Sequence, residues 1–499
     1  MAPLPLAKDY AALVRALACP DGESEWVEFK QDFANPKDIG QYISALANSA
    51  VLNEQPFGYL LWGLEDGTGK LVGTKFNPHT AKKGNEPLEN WLLRLLDPKI
   101  NFSFHVVDLD GTRVVLAEIE QARSVPVRFE GMDYIRVGSV TRPLRQAPER
   151  ERALWQAFDQ TPFEKRAING SMNAEKAVEA LDFRSYFNLL HLPVTQNLRP
   201  AAETLLNDGM LQHTLPDNWN ITNQGAILLA EDLRFFPNLR RKAVRVIQYD
   251  GKSKIEAARE QVFHRGYAVG FQQLINYIDT LIPKQEAFGK AIREDIPMFP
   301  ILAIRELVAN MLVHQDFAVT GAGPMVEIFS DRIEITNPGE SLIELDRLID
   351  APPRTRNEAM AAFMRRAGIC EERGTGIDKA MLAIELAQLP APLFETPPGA
   401  TRVTLFARRE LKNMSRADRI RSVYQHACLR YVMGEKTTNA TLRERFGVSS
   451  ANSAIVSRIL RDALTVGVIV MKDEAAGPRN RAYLPYWAAA NTNGAGNFI

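Results

Sequence analysis

A chain of 499 residues, 45% of them apolar, is too long for one ordinary hydrophobic core and reads as three or four globular units. Sixty basic residues balance sixty acidic ones, so any nucleic-acid surface must be a local patch and not a global field. The three cysteines, Cys19, Cys370 and Cys428, lie far apart without paired ligand spacing, which argues against a zinc site and for a reducing compartment.

The opening, Met1-Ala2-Pro3-Leu4, lacks the basic and apolar regions of a secretory signal, and no apolar run reaches the ~20 residues of a membrane span. A soluble cytoplasmic protein is expected, with no membrane partner. The first informative segment is Glu23-Ser24-Glu25-Trp26-Val27-Glu28-Phe29-Lys30. In its strand, Glu28 and Lys30 project to one face while Val27 and Phe29 face a core on the other. A helix carrying Ala45-Leu46-Ala47-Asn48 follows. The apolar run Tyr59 to Leu64 then reads as a central strand ending at Glu65 and Asp66. A second carboxylate pair thereby comes near the first, an arrangement that suits a divalent metal; the competing reading is a solvated ion-pair face. A helix around Glu149 to Phe158 closes the region, and Asp159-Gln160-Thr161-Pro162 marks a boundary.

These residues resemble the Schlafen-type AlbA domain. The resemblance covers about the first third of the chain. It rests on Glu23-x4-Glu28-Phe29-Lys30, the Ala45–Asn48 helix, Gly63-Leu64-Glu65-Asp66 with Gly73 after it, and Tyr134-Ile135-Arg136-Val137-Gly138-Ser139. The turn that usually carries a Gly-Gly pair departs from the pattern, reading Asn53-Glu54-Gln55-Pro56-Phe57-Gly58. The resemblance implies a metal-dependent endonuclease with Glu23, Glu28 and Glu65 as ligands for Mg²⁺ or Mn²⁺ and Asp66 as the alternative third ligand. Lys30 would stabilise charge on the scissile phosphate, and Arg136 would contact nucleic acid. Structured RNA such as tRNA is the substrate implied, in stress or antiphage defence. Relatives described only as DNA-binding carry the same acidic residues, so binding without cleavage stays open. On the nuclease reading, Glu28→Ala abolishes cleavage and leaves the fold nearly intact.

Residues 159–235 read as a winged-helix-like connector, with a helix from Ser185, another over Leu198 to Leu206, and a strand near Trp219-Asn220-Ile221. In residues 236–412, Ala243 to Gly251 alternates into a strand and turn and a helix is expected from Tyr267 to about Leu281. An amphipathic helix after Pro300 carries Glu306 and Asn310, four apart on one face. Glycines follow in Asn337-Pro338-Gly339 and in Glu371-Glu372-Arg373-Gly374-Thr375-Gly376, where backbone can approach phosphates closely. This stretch resembles the ATPase-like domain of transcriptional regulators and helicase-related proteins, a distant relative of the GHKL fold. The resemblance implies Glu306 and Asn310 as the catalytic and Mg²⁺ motif and Gly374, Thr375 and Gly376 as the phosphate lid, with Gly339 standing in for a missing Asp-x-Gly-x-Gly box. ATP binding is expected, and hydrolysis is not. His314 reads as a packing or hydrogen-bonding histidine.

Residues 413–487 give three helices (Arg419 to Tyr431, Asn439 to Phe446, Ala451 to Leu464) and two strands (Val468 to Met471, Arg481 to Leu484). That order is a winged helix. Asn452, Ser453, Ser457, Arg458 and Arg461 lie on its recognition helix, and Lys472, Arg479 and Arg481 on the wing. Residues 488–499 form a tail. The expected fold class is therefore α+β multidomain: an AlbA-type α/β domain at 1–158, the connector, a GHKL-like α/β sandwich and a winged helix. Two functions compete, a metal-dependent endonuclease and a non-catalytic DNA-binding regulator with a nucleotide-sensing or dimerising module. A homodimer is expected by resemblance.

Overall fold

The computed structural model describes residues 10–18, 23–123, 125–160, 162–168, 172–215, 218–255, 258–288, 293–352, 354–371, 375–477 and 480–488. The chain is a mixed α+β protein with several separate sheets. It divides into two compact units, one of Met1–Phe187, Pro193–Glu231 and Phe235–Asn238, the other of Asn188–Leu192, Asp232–Arg234 and Leu239–Ile499. Among the described residues no helix is long and apolar enough to cross a membrane. Cys370 and Cys428 are free thiols, and Cys19 lies outside the described residues.

In the first unit, the main sheet has the spatial order Val27–Lys30, Phe57–Trp62, Thr112–Glu120, Phe102–Leu109. The first pair is parallel and the others antiparallel. The parallel pair requires a crossover, supplied by the helix Pro36–Leu52. The sequence starts that helix firmly: Pro36 stands in its first turn and the Asn35 side chain accepts from the Lys37 N–H. Alternation along Phe57–Trp62 sends Leu60 and Trp62 into one core, shared with Ile39, Ile43 and Leu46 of the crossover helix. Tyr59 and Leu61 enter a second core, shared with Leu13 and Leu17 of the helix Tyr10–Leu17. Both faces are covered, so every residue of the strand is buried. A smaller sheet orders Val140–Pro143, Met132–Val137, Arg128–Phe129 and Leu96–Asp97. The helix Pro148–Gln160 follows.

The connector region adds two helices, Ala174–Glu179 and Asn223–Leu229, to those read from sequence. Ala174–Glu179 precedes Phe183–Leu189 and Leu198–Asn207, and its N-cap is Asn173, whose side chain accepts from the Lys176 N–H. The hairpin Leu211–Leu215 with Asn218–Ile221 and the helix Asn223–Leu229 complete it.

The second unit is built on a six-stranded sheet in the order Ala258–Phe263, Val244–Tyr249, Met325–Ile328, Arg332–Pro338, Ala400–Phe406, Leu393–Glu395. Its helices are Tyr267–Leu281, Ile301–Val313, Glu358–Arg366 and Gly376–Leu386. The helix Ile301–Val313 departs from the amphipathic expectation, because Ala303, Ile304, Glu306 to Ala309 and Met311 to Val313 are all buried. Its sequence is apolar nearly all round, which is the pattern of an enclosed helix.

The same unit ends in the helices Arg416–Val432, Asn439–Phe446 and Ser453–Val466 and the antiparallel strands Ile469–Met471 and Tyr483–Pro485. Ser415 caps the first helix, and Thr438 and Thr441 form a capping box on the second. Val423, Leu442, Val456, Leu460 and Ile469 form their shared core. The tail expected at 488–499 lies outside the described residues beyond Ala488.

Candidate functional site

The strand Val27–Lys30 does place Glu28 and Lys30 together, but beneath the surface. Glu28 is 2% exposed. Its Oε1 lies 2.7 Å from Lys30 Nζ, and its Oε2 meets Arg136 Nη1 from the strand Met132–Val137. Arg136 is fully buried, and its Nη2 lies 3.8 Å from Glu23 Oε1. Glu23 Oε2 accepts from the Gly67 N–H at 3.1 Å. Lys30 Nζ also donates to Asp66 Oδ2 at 2.9 Å and lies 5.6 Å from the centre of the Tyr42 ring. Burial pushes the Glu28 carboxyl pKa up while Arg136 and Lys30 pull against it. For Lys30, burial works to lower the pKa, but the bonds to Glu28 and Asp66 prevail and the net direction is upward.

Glu65 does not join this cluster as the expected third ligand. It is exposed, and its Oε2 accepts from Thr68 Oγ1 at 2.7 Å. Among the described residues no three His, Cys, Asp or Glu side chains are grouped to hold a metal ion. The donor set fits a divalent cation poorly for a specific reason. Both oxygens of Glu28 already face cationic groups, and an added ion would sit beside a buried guanidinium, where like charges repel strongly. Nor is Arg136 placed to contact a phosphate, because the guanidinium has no exposed surface.

The crossover helix explains how Arg136 is held. The Arg136 N–H donates to Ser49 Oγ at 2.9 Å. The neighbour of Ser49 in the helix, Asn48, donates from Nδ2 to Val127 O at 3.0 Å and Tyr134 O at 2.8 Å, while its Oδ1 accepts from the Val127 N–H at 2.8 Å. Ser44 Oγ donates to Val127 O at 2.7 Å and accepts from the Tyr134 N–H at 3.1 Å. A polar stripe of Ser44, Asn48 and Ser49 thus substitutes for a strand neighbour beside Met132–Val137.

In the second unit, Glu306 is 6% exposed and Asn310 is half-buried one turn further on. Burial raises the Glu306 pKa and drives the nearby Cys370 thiol up to about 12. Gly376, the first residue of the helix Gly376–Leu386, packs against this carboxylate: a Cβ there would lie 2.6 Å from Glu306 Oε2. Thr375 occupies the N-cap position without a side-chain capping bond, and Gly374 lies outside the described residues. Gly339 has φ +97°, and a Cβ on it would come within 2.5 Å of Asp316 Cβ, so backbone geometry alone requires glycine there. His314 is half-buried, its pKa lowered by burial and by Arg356 while a backbone hydrogen bond with Arg354 opposes them.

Comparison with known families fits this geometry. The family model described as Schlafen, AlbA_2 matches residues 23–145, from Glu23 to just past the strand Val140–Pro143. Residues 23–145 form a Schlafen AlbA_2 domain. A second model, described as "Putative ATP-dependent DNA helicase recG C-terminal", matches residues 321–405, which carry four strands of the six-stranded sheet and the helices Glu358–Arg366 and Gly376–Leu386. Together the two domain types indicate a nucleic-acid-associated protein. No curated protein matches the chain. Among solved structures, the DIP2311 protein from Corynebacterium diphtheriae is 16% identical over 94% of each chain with a TM-score of 0.41. The N-terminal domain of "Putative ATP-dependent DNA Helicase RecG-related Protein" from Nitrosomonas europaea is 20% identical, covering 27% of this chain and 92% of that one, with a TM-score of 0.19.

Within the Schlafen AlbA_2 domain, sequence reading passed over Glu25. Its Oε1 accepts from the Gly138 N–H at 3.1 Å and from Arg150 Nη2 at 2.7 Å, tying the Tyr134–Ser139 motif to the helix that closes the domain. Its position beside Glu23 was visible, but its partners are far away in sequence. At the other end of the chain, Asn452, Ser453, Ser457, Arg458, Arg461, Lys472 and Arg481 are all exposed, and Arg479 lies outside the described residues.

Proposed function

We propose that this chain is a nucleic-acid-binding regulator that grips duplex DNA through a winged helix at 413–487 and senses a nucleotide through the GHKL-like module at 236–412. The observation that carries this reading is the helix Ser453–Val466. Val456, Ile459, Leu460 and Ala463 anchor one face, while Ser453, Ser457, Arg458 and Arg461 face solvent. That is the disposition of a recognition helix, whose exposed N-terminal half enters the major groove while flanking basic groups meet phosphates. Lys472 and Arg481 stand exposed beside the two short strands, at the positions a wing would use.

Two observations support binding without cleavage by the Schlafen AlbA_2 domain: the commitment of Glu28 to Arg136 and Lys30, and the outward position of Glu65. ATP, with Mg²⁺, binds at the Glu306 and Asn310 face on this reading and is not hydrolysed. A homodimer would present two such helices to successive half-sites. The test pairs fluorescence anisotropy on duplex DNA over a salt series with gel-resolved incubation of tRNA, single-stranded DNA and duplex DNA in Mn²⁺ or Mg²⁺. Salt-sensitive duplex binding with intact nucleic acid is expected. Metal-dependent cutting that co-elutes with the protein would return the domain to the nuclease class.

A further inference from the structure

We propose that the helix Gly376–Leu386 couples nucleotide binding at Glu306 to the grip of the winged helix on DNA, an inference that rests on the nucleotide and DNA readings above. Its two ends touch the two functions. At its start, Gly376 lies against Glu306 Oε2 so closely that no side chain fits between them. A nucleotide or its metal that engages this carboxylate therefore bears directly on the first turn of the helix. At its end, Glu385 Oε1 accepts from His426 Nδ1 at 2.8 Å, and Glu385 Oε2 lies 3.5 Å from Arg445 Nε.

Both partners belong to the winged helix. His426 is 2% exposed, sits on the helix Arg416–Val432, and places its Nε2 3.0 Å from Thr441 Oγ1. Thr441 is half of the capping box that starts the helix Asn439–Phe446, and Arg445 lies near the end of that same helix. One carboxylate thus meets one end of the helix that positions the recognition helix directly and reaches the other through His426, and Asn439 Nδ2 donates onward to Ser457 Oγ at 3.0 Å. The segment after Glu385 is strapped as well. Arg445 Nη2 donates to Leu389 O, the Ala391 N–H donates to Ser422 Oγ at 3.2 Å, and Gln425 Nε2 donates to Pro392 O at 2.9 Å. A helix is stiff along its axis, so displacement at Gly376 is delivered at Glu385, where a packed and hydrogen-bonded junction has discrete arrangements.

Coupling of this kind is reciprocal: Mg·ATP changes the DNA affinity by some factor, and DNA changes the Mg·ATP affinity by the same factor, typically about 5–150-fold. The experiment measures the four dissociation constants of the full chain by anisotropy and calorimetry, in wild type, Glu385→Ala, Glu385→Gln and Thr441→Val. In wild type the two ratios should agree and differ from unity at least fivefold. Glu385→Ala should bring both ratios to unity while the separate affinities for Mg·ATP and DNA stay close to wild type. Glu385→Gln, which keeps an acceptor for His426, should retain part of the coupling. If Glu385→Ala fails to fold by circular dichroism, Thr441→Val decides the matter: it breaks the His426 link and the capping box while Glu385 keeps its own contacts, so reduced coupling is expected and full wild-type coupling overturns the proposal. Independent binding of both ligands in wild type, or full coupling in the folded variant, overturns the proposal alone. Failure of Mg·ATP to bind overturns the nucleotide reading and this inference with it.

Discussion

The two ends of the chain carry charged motifs on regular elements, and they use them in opposite ways. In the Schlafen AlbA_2 domain, Glu28, Lys30 and Arg136 turn inward and neutralise one another, with Glu28 and Arg136 sealed from solvent. In the C-terminal helix Ser453–Val466, Arg458 and Arg461 are exposed. A charge that has found its partner within the chain stabilises structure, whereas a charge left in water remains available to a phosphate. Removing one from each place should therefore separate stability from binding.

The largest effect belongs to the buried pair. Arg136→Ala leaves the enclosed Glu28 carboxyl with only Lys30 of its two cationic partners, and Glu28→Ala leaves an enclosed guanidinium, so either should destabilise the Schlafen AlbA_2 domain by about 3–5 kcal/mol, read from its denaturant transition. This reverses the sequence-based expectation that Glu28→Ala spares the fold. Replacing both at once, with Glu28→Leu and Arg136→Met, should recover much of the loss, since a matched apolar pair has no buried charge to solvate. A double variant as unstable as the singles would show that packing around the pair, and not its charge, holds the domain.

Next in size is Asn48→Ala. The amide satisfies Val127 and Tyr134 through three bonds, and its loss leaves the buried Val127 N–H without an acceptor, at a cost of about 1–3 kcal/mol. Hydrogen exchange at Val127 should rise with it. Unchanged protection there would mean that water or a shifted Ser44 takes over.

How much of this was legible follows the same division. Period-two alternation revealed the strand Val27–Lys30 and its inward Val27 and Phe29, and the helical period with its flanking turns placed Tyr267–Leu281. These are local patterns, and local patterns survive without knowledge of tertiary neighbours. The burial of Glu28 was hidden because its partner Arg136 comes from a distant strand and its lid from the helix Pro36–Leu52. For the same reason the i, i+4 pair Glu306 and Asn310 suggested a polar face, while the fold encloses most of that helix. The short helix Ala174–Glu179 was missed although its Asn173 cap was in plain view, because six residues are too few to display a period. His426 escaped too: it sits on a helix whose neighbours Val423 and Ala427 mark a buried face, yet its carboxylate partner was not readable from spacing.

Asp66→Ala probes the rim of the acidic cluster, where the Asp66 side chain is 59% exposed. Solvent screens its bond to Lys30, so the change should cost less than about 1 kcal/mol. A loss as large as that of Arg136→Ala would mean that Lys30 depends on Asp66 for its position.

The smallest effect on stability should come with the clearest effect on binding. Arg458→Ala with Arg461→Ala touches exposed groups only, and surface substitutions of this kind usually change stability by no more than about 0.5 kcal/mol. If each arginine meets one phosphate, the slope of log affinity against log salt for duplex DNA should become shallower by about 1.8, because each contact contributes about 0.9 through counterion release. The denaturant curve and the salt series can be run on the same preparation, which makes the contrast with Arg136→Ala direct. An unaltered slope would make this helix a protein-binding surface. A large loss of stability would show that these arginines, like Arg136, serve the fold, and the distinction between the two ends of the chain would disappear.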